Sequence, residues 1–339
     1  MKKSLIALAV LAASGAAMAQ SSVTLYGIAD IWFGNVKTDG AGGTSVTQLT
    51  SGGVSTSEWG LKGSEDMGGG LKANFKLSQA YALDTGVATS GFNREAWVGL
   101  SGGFGEVKFG KVSSAYNDVE GAAGAAFGSG ALGPIANAFV SDAEYTSRPA
   151  NTMYYATPSF GGFNAMVSYS LDEKLAAVAA NSLTVTPAVD AGVEIVSLGV
   201  AYSAGPFYAG LGYQTEDEVG STVTAKYTQA NVTYDLGVAK LLGAYGNVKN
   251  TAGLSGDDAS EWQIGADVPL SSAFTVSTGY AKSKRSFTVG ADDKVTVFSV
   301  AGAYSLSKRT TAYVGFATSK LDSTDVKTDR YAVGIKHTF

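Results

Sequence analysis

Cysteine is absent from the 339-residue chain, and histidine occurs once, as His337. An exported chain without cysteine has no disulfide framework to hold it. A single imidazole cannot supply a clustered-histidine zinc or copper site, nor any Ser-His-Asp triad that does not use His337. Basic residues number 24 against 29 acidic, so no cationic excess points to nucleic acid. Proline is scarce, at 6 residues. No apolar run approaches the ~20 residues that a membrane-spanning helix needs.

What is present is alternation. In the segment 71–77, Leu71, Ala73, Phe75 and Leu77 share one parity, with Lys72, Asn74 and Lys76 on the other. Phe163, Ala165, Val167 and Tyr169 alternate with Asn164, Met166 and Ser168 in the same way. The last residues repeat it, and the chain ends on Phe339 with Tyr331, Val333, Ile335 and His337 in the same phase. A period of two is the signature of a strand with two unlike faces. Charge on such a strand must meet water, so the Lys72/Lys76 face is read as a lumen.

The N-terminus carries Lys2 and Lys3, a short apolar run from Ile6 to Ala13, and Ala17-Met18-Ala19 before Gln20. These are the three parts of a secretory signal peptide, here residues 1–19. The remainder, 20–339, divides into sixteen strand candidates, from 22–36, 55–66 and 71–83 to 310–319 and 328–339. Their connections alternate between tight Gly-containing turns, such as Met67 to Gly70 and Ala204-Gly205, and longer segments such as 37–54 and 174–191. Short turns on one rim and long loops on the other describe an up-and-down barrel in an outer membrane. The expected fold is all-β: a sixteen-stranded antiparallel transmembrane barrel whose last strand pairs with its first. Phe339 is the candidate for barrel closure and assembly. Tyr26, Phe33, Tyr81, Tyr280 and Tyr331 are candidates for aromatic girdles.

The segment 114–147 stands apart. It is long, Gly- and Ala-rich from Gly121 to Gly133, and carries acids at Asp118, Glu120, Asp142 and Glu144. Loops above ~12–15 residues are usually functional or disordered. Its small residues would let it lie against a barrel wall, so it is read as a loop folded into the lumen that narrows the pore. Within it, Gly128-Ser129-Gly130-Ala131-Leu132-Gly133 matches a dinucleotide fingerprint, but Pro134 follows and no βαβ unit surrounds it. Arg94 and Arg148 flank long loops, and with Lys76 they are placed on the wall facing the loop acids.

Several motifs resemble the general trimeric porins of Gram-negative outer membranes, in their β-proteobacterial branch. They are Val23-Thr24-Leu25-Tyr26-Gly27, Leu61 to Asp66 with Gly68 to Ala73, Phe92-Asn93-Arg94, Gly105-Glu106-Val107, Leu306 to Thr310, and Gly334 to Phe339. The resemblance implies a homotrimer whose third external loop, 114–147 here, forms the constriction. It places Arg94 and Arg148 on the constriction wall, and Asp118 and Glu120 on the loop. Glu58 stands where the family usually shows an arginine, and Ile28 where some members carry a lumenal lysine. Both departures point away from strong anion selectivity. Lys111 lies where the family often has arginine, and its role needs a bend at Gly110.

The function expected is a passive diffusion channel for small hydrophilic solutes and ions. The chain is expected to be no enzyme, to bind no cofactor and no nucleic acid, and to contact outer-membrane lipid and lipopolysaccharide. The alternatives are a substrate-selective porin for a small anion, built on Arg94, Arg148 and Lys76, and a plugged structural or adhesive barrel. Strands two to four, with Trp59 and Gly63, are expected toward the trimer contact, on the reading that Asn93, Glu95 and Trp97 face outward.

Overall fold

The computed structural model describes residues 22–40, 42–122, 127, 130–172 and 192–339. The expected signal peptide, the loop residues 174–191, and Gly128 with Ser129 of the fingerprint match lie outside the described residues.

Seventeen strand segments make one antiparallel sheet. They are β1 (Ser22–Thr38), β2 (Thr44–Ser51), β3 (Glu58–Gly68), β4 (Leu71–Ala80), β5 (Glu95–Gly102), β6 (Gly105–Lys111), β7 (Thr152–Ala156), β8 (Phe163–Ser170) and β9 (Val193–Ala204). There follow β10 (Phe207–Glu218), β11 (Thr224–Asp235), β12 (Lys240–Lys249), β13 (Asp258–Pro269), β14 (Phe274–Ser286), β15 (Asp293–Ser305), β16 (Thr310–Leu321) and β17 (Val326–Thr338). Each pairs with its chain neighbour, except that β2 and β3 both pair with β1, and β1 also pairs with β17 from Ile28↔Thr338 to Thr38↔Thr328. Beyond that register, Gly27 and Phe339 exchange backbone hydrogen bonds of 3.0 and 3.1 Å. Closure pairs the two terminal strands, which is what a lipid environment demands of them.

The wall has sixteen positions, because β2 and β3 share one. The outer half of β1 pairs with β2 and its inner half with β3. The residues between, Gly52 to Ser57, leave the ladder. The segment 37–54, expected as a loop, is therefore mostly strand. Thr44–Ser51 is rich in Thr and Ser on both parities, so it suits a sheet without showing alternation.

The two faces are sharply different. In β1, Trp32 is 2% exposed and its neighbour Phe33 is 54% exposed. In β11 the residues Ala225, Tyr227, Gln229, Asn231 and Thr233 are buried, while the alternate positions are exposed. The exposed parity of the strands carries Val23, Leu25, Leu211, Ile264, Val314 and Val333, an apolar band suited to lipid. The buried parity mixes polar residues such as Asp30, Gln229 and Glu261 with apolar ones such as Trp32, Ala281 and Val297.

One phase assignment is corrected. Glu95 and Trp97 face the lumen, not the outward trimer contact expected of them. Their register partners are Ser78 and Lys76, and Ala96, Val98 and Leu100 form the outward row of β5. Arg94 lies one residue before the strand, so alternation does not extend to it, and the side chain swings inward independently of the ladder. Tyr26 is also lumenal, with the Lys62 and Lys76 ammonium groups 5.2 and 5.7 Å from its ring centroid.

Candidate functional site

The segment between β6 and β7 enters the barrel and follows its wall. Ser114 opens a helix over Ala115–Gly121, its hydroxyl accepting from the Asn117 amide at 3.2 Å. The helix lies on inward-facing groups of β8 to β11. The amides of Ala115 and Tyr116 donate to the hydroxyls of Ser168 and Ser197 at 3.2 and 2.8 Å. The Asn231 amide donates to the Val119 carbonyl at 2.6 Å. Farther on, Ala131 and Leu132 donate to the carbonyls of Gly52 and Gly53, at the break between β2 and β3. Phe127 and Leu132 pack there with Trp32, Val54 and Tyr313. The chain then turns back through the short helices Pro134–Ala138 and Val140–Glu144. The first packs against β14 and β15, the second on the β12 side.

Two wall carboxylates hold the returning limb. Glu261, fully buried on β13, accepts from the Val140 amide at 2.8 Å and from the amide and hydroxyl of Ser141. Glu216 on β10 accepts from the Thr146 amide at 2.6 Å and its hydroxyl at 3.1 Å. Asp30, fully buried on β1, performs the same task at the break, accepting from the amides of Val54 and Ser55 and from the Tyr313 hydroxyl. A buried carboxylate is tolerable only when donors satisfy it, and such charge-assisted bonds are strong. Sequence reading missed all three. Their signal was an acid on the inward parity, which alternation alone reads as a pore-facing charge. The approach is close: a β-carbon at Gly212 would crowd Tyr116 at 3.1 Å, and one at Gly315 would clash with Leu132 at 2.5 Å.

The open part of the lumen faces β1 and β3 to β7. Arg94 Nε lies 2.9 Å from Glu58, and Lys76 Nζ 2.6 Å from Glu95. Lys108 pairs with Glu106 at 2.8 Å and stands over the rings of Trp97 and Tyr154. Each of these wall cations thus has its own acid. Arg148 has no ion pair among the described residues. Its Nη1 donates to the Ser147 hydroxyl at 3.2 Å. Burial and the nearby Arg94 lower its pKa, but a guanidinium keeps its charge. Ile28 sits on the inward face of β1, opposite Glu58 in register. Gly110 has φ +133°, and beyond it Lys111 Nζ donates to the Arg148 carbonyl at 2.6 Å.

The loop acids do not form one row opposite the arginines. Asp118 accepts from the hydroxyls of Ser113 and Tyr154 at 2.6 and 2.8 Å. Burial raises its pKa, and those hydroxyls and Lys108 oppose the shift. Glu144 is 3.5 Å from Arg285 and accepts from the Ala252 amide. Glu120 is half-buried, and its pKa is pushed up to about 7, first by burial, then by Asp142, against the Tyr145 hydroxyl and Arg148. Glu120 therefore lies in the field of Arg148, and Asp118 in that of Lys108. Asp142 is exposed, yet burial of its carboxyl by surrounding groups raises its pKa too.

The Glu120 value gives a pH dependence. Below pH ~7 this carboxyl is neutral, and above it adds a negative charge beside Arg148. The reversal potential in a salt gradient should move toward cations between pH 6 and 8. Glu120→Gln should flatten that part of the profile. A profile that Glu120→Gln leaves unchanged would place the titrating group elsewhere.

A closed barrel with an apolar belt, a polar lumen and a loop laid along its inner wall is an outer-membrane channel. Residues 5–324 match the family model described as Gram-negative porin. The chain is 39% identical to outer membrane porin protein 32 of Delftia acidovorans, over 94% of this chain and 89% of the relative. It is 31% identical to an outer membrane porin protein of Bordetella pertussis, over the full length of both. Among solved structures it superposes on an anion-selective porin from Comamonas acidovorans with a TM-score of 0.79, 30% identity, 94% of this chain and all of that one. The chain belongs to the Gram-negative porin family. It is an outer-membrane porin, a diffusion channel in its general reading.

Proposed function

We propose that the channel is narrowed by the loop 114–147 and that its ion preference is weak. The site comprises Glu58, Lys76, Arg94 and Arg148 on and beside the wall, with Asp118 and Glu120 on the loop. The observation that carries this reading is the Arg94–Glu58 pair at 2.9 Å, with Glu58 standing where the family resemblance expects a further arginine. Lys76–Glu95 compensates a second cation. Charges set selectivity in pores through the net local field. Here Arg148, and Lys111 on its carbonyl, are left as cations without an ion pair among the described residues. The Comamonas neighbour is named anion-selective; this chain is expected to prefer anions less. Solutes pass by size and charge without chemical change, and the protein acts as a homotrimer.

At an effective dielectric constant of ~20, two unit charges ~8 Å apart interact by about 2 kcal/mol. Changing one sign at the constriction should therefore alter ion partition severalfold, even after screening over ~8–10 Å. Glu58→Arg is expected to move the zero-current potential in a tenfold salt gradient strongly toward anions, with Glu58→Gln intermediate. If neither variant moves that potential, Glu58 does not act on permeating ions.

The anion-specific alternative, expected on Arg94, Arg148 and Lys76, is favoured by two further lysines, Lys62 and Lys72, which are water-facing and line an inner-wall cavity of about 450 Å³ with Lys76. Conductance that saturates with one organic anion, while staying linear in chloride, would favour it over a general pore.

A further inference from the structure

The returning limb of the loop 114–147 is held by the wall on either side of Glu144, with Ser141 on Glu261 and Thr146 on Glu216. Glu144 itself reaches a different part of the molecule. One of its carboxylate oxygens accepts from the Ala252 amide at 2.9 Å, and the other lies 3.5 Å from Arg285, near the end of β14. The Arg285 Nε in turn donates to the Thr251 hydroxyl at 3.1 Å. Thr251 and Ala252 belong to the connection 250–257 between β12 and β13, on the rim of the long loops. In an outer-membrane barrel that rim faces the outside of the cell. Glu144 therefore ties the constriction loop to an external loop.

The external loop is a braced frame around one strained residue. Thr251, fully buried, donates its amide to the Asp257 carbonyl at 2.7 Å. The Asp257 carboxylate accepts from the amide and hydroxyl of Thr288, in the next external connection, at 2.8 and 2.9 Å. The Asn250 side-chain amide donates to the Thr224 carbonyl at 2.8 Å. Inside this frame Ala252 stands at φ +52°, with Asn250 at +59° and Gly253 at +69°. Asparagine and glycine enter the left-handed region readily, but alanine does so at a steric cost, because its β-carbon meets the backbone. Such a residue stays there only where its surroundings hold it. Here the acceptor that holds the Ala252 amide comes from the pore loop. Without it Ala252 has a less strained right-handed alternative, so the turn 251–253 has two arrangements, of which Glu144 favours one.

The residue after Glu144 faces the pore side of the same loop. The Tyr145 hydroxyl donates to Asn117 at 2.6 Å, and its ring centroid is 4.9 Å from that of Tyr116. A displacement of Glu144 thus reaches the helix Ala115–Gly121, which carries Asp118 and Glu120.

We propose that the connection 250–257 is an external lever on the constriction, and that Glu144, held by Ala252 and Arg285, transmits displacement of this loop to the pore. The lever rests on the reading that the loop 114–147 narrows the channel. Glu144 and Arg285 are positioning residues in it: they set where the pore loop lies and act on permeating ions through it.

The absence of cysteine makes a site-specific test direct. Leu254, 55% exposed beside the strained turn, is replaced by cysteine and labelled with a biotin maleimide, and the purified channel is placed in a planar bilayer. Unlabelled Leu254→Cys should conduct as the wild type does. Streptavidin added on the loop side should then lower conductance by roughly twofold, or hold the channel in a long-lived substate. The same label on Thr324→Cys, exposed between β16 and β17, measures plain occlusion and should have a much smaller effect. Glu144→Ala should abolish the Leu254 effect, whereas Glu144→Gln, which keeps an acceptor for the Ala252 amide, should retain most of it. Equal effects at Leu254 and Thr324, or a Leu254 effect that survives Glu144→Ala, would overturn the lever. No Leu254 effect, in a channel that deletion of 121–133 does widen, would overturn the lever and leave the constriction standing. A deletion that leaves the exclusion limit unchanged would overturn both.

Discussion

Deleting Phe339 is expected to lower the amount of assembled porin in the outer membrane by roughly tenfold or more, because an open barrel leaves several backbone groups unpaired in lipid. Conductance of those channels that do form should change little. Phe339 donates to and accepts from Gly27 beyond the last register pair of β1 and β17, so its loss frays the seam where the sheet closes. Each unpaired group there costs several kcal/mol in hydrocarbon. An aromatic ring at this end also anchors the interface. Phe339→Asp adds a charge to the same position and should be at least as damaging. The measurement is the yield of heat-modifiable trimer in outer-membrane fractions, beside single-channel conductance of the purified variant. Normal yield with altered conductance would make the C-terminus part of the pore.

The second large effect belongs to the loop. Deleting residues 121–133 should raise the size limit for sugars and increase conductance by roughly twofold or more, since the constriction sets the flux. None of the described residues of this segment belongs to the wall ladder. The deletion does remove Phe127 and Leu132 from their packing on Trp32 and Tyr313, so some loss of thermal stability accompanies it. Glu261→Ala probes the same loop without shortening it. It strands the amides of Val140 and Ser141 and releases the returning limb, so noisy, substate-rich conductance is expected. An unchanged exclusion limit in the deletion, with trimers intact, would mean the loop does not restrict the pore.

Period-two patterning made the barrel legible. Leu71 to Leu77 shows both faces in seven residues, and the terminal parity from Tyr331 to Phe339 matches the lipid-facing row of β17. The pattern failed where residues leave the ladder. Arg94 precedes β5, and counting alternation forward from it inverted the faces of Glu95 and Trp97. Thr44–Ser51 pairs with β1 but offers no apolar parity, so β2 read as loop. Residue type placed Glu58, Arg94 and Lys76 in the lumen. It could not show that Glu58 and Glu95 neutralise the other two, because ion pairing between strands depends on register and side-chain reach. Nor could it separate Glu261, which anchors the loop, from acids that face permeating ions, since both occupy inward positions of a strand.

The central claim is an open, water-filled passage that discriminates by size. Liposome swelling with a graded series of uncharged sugars tests it most directly. The account predicts rapid swelling with pentoses and hexoses, and rates that fall steeply through the di- and trisaccharides without saturating in concentration. Proteoliposomes containing folded protein that do not swell even with a pentose would contradict it, and would make this chain a plugged barrel.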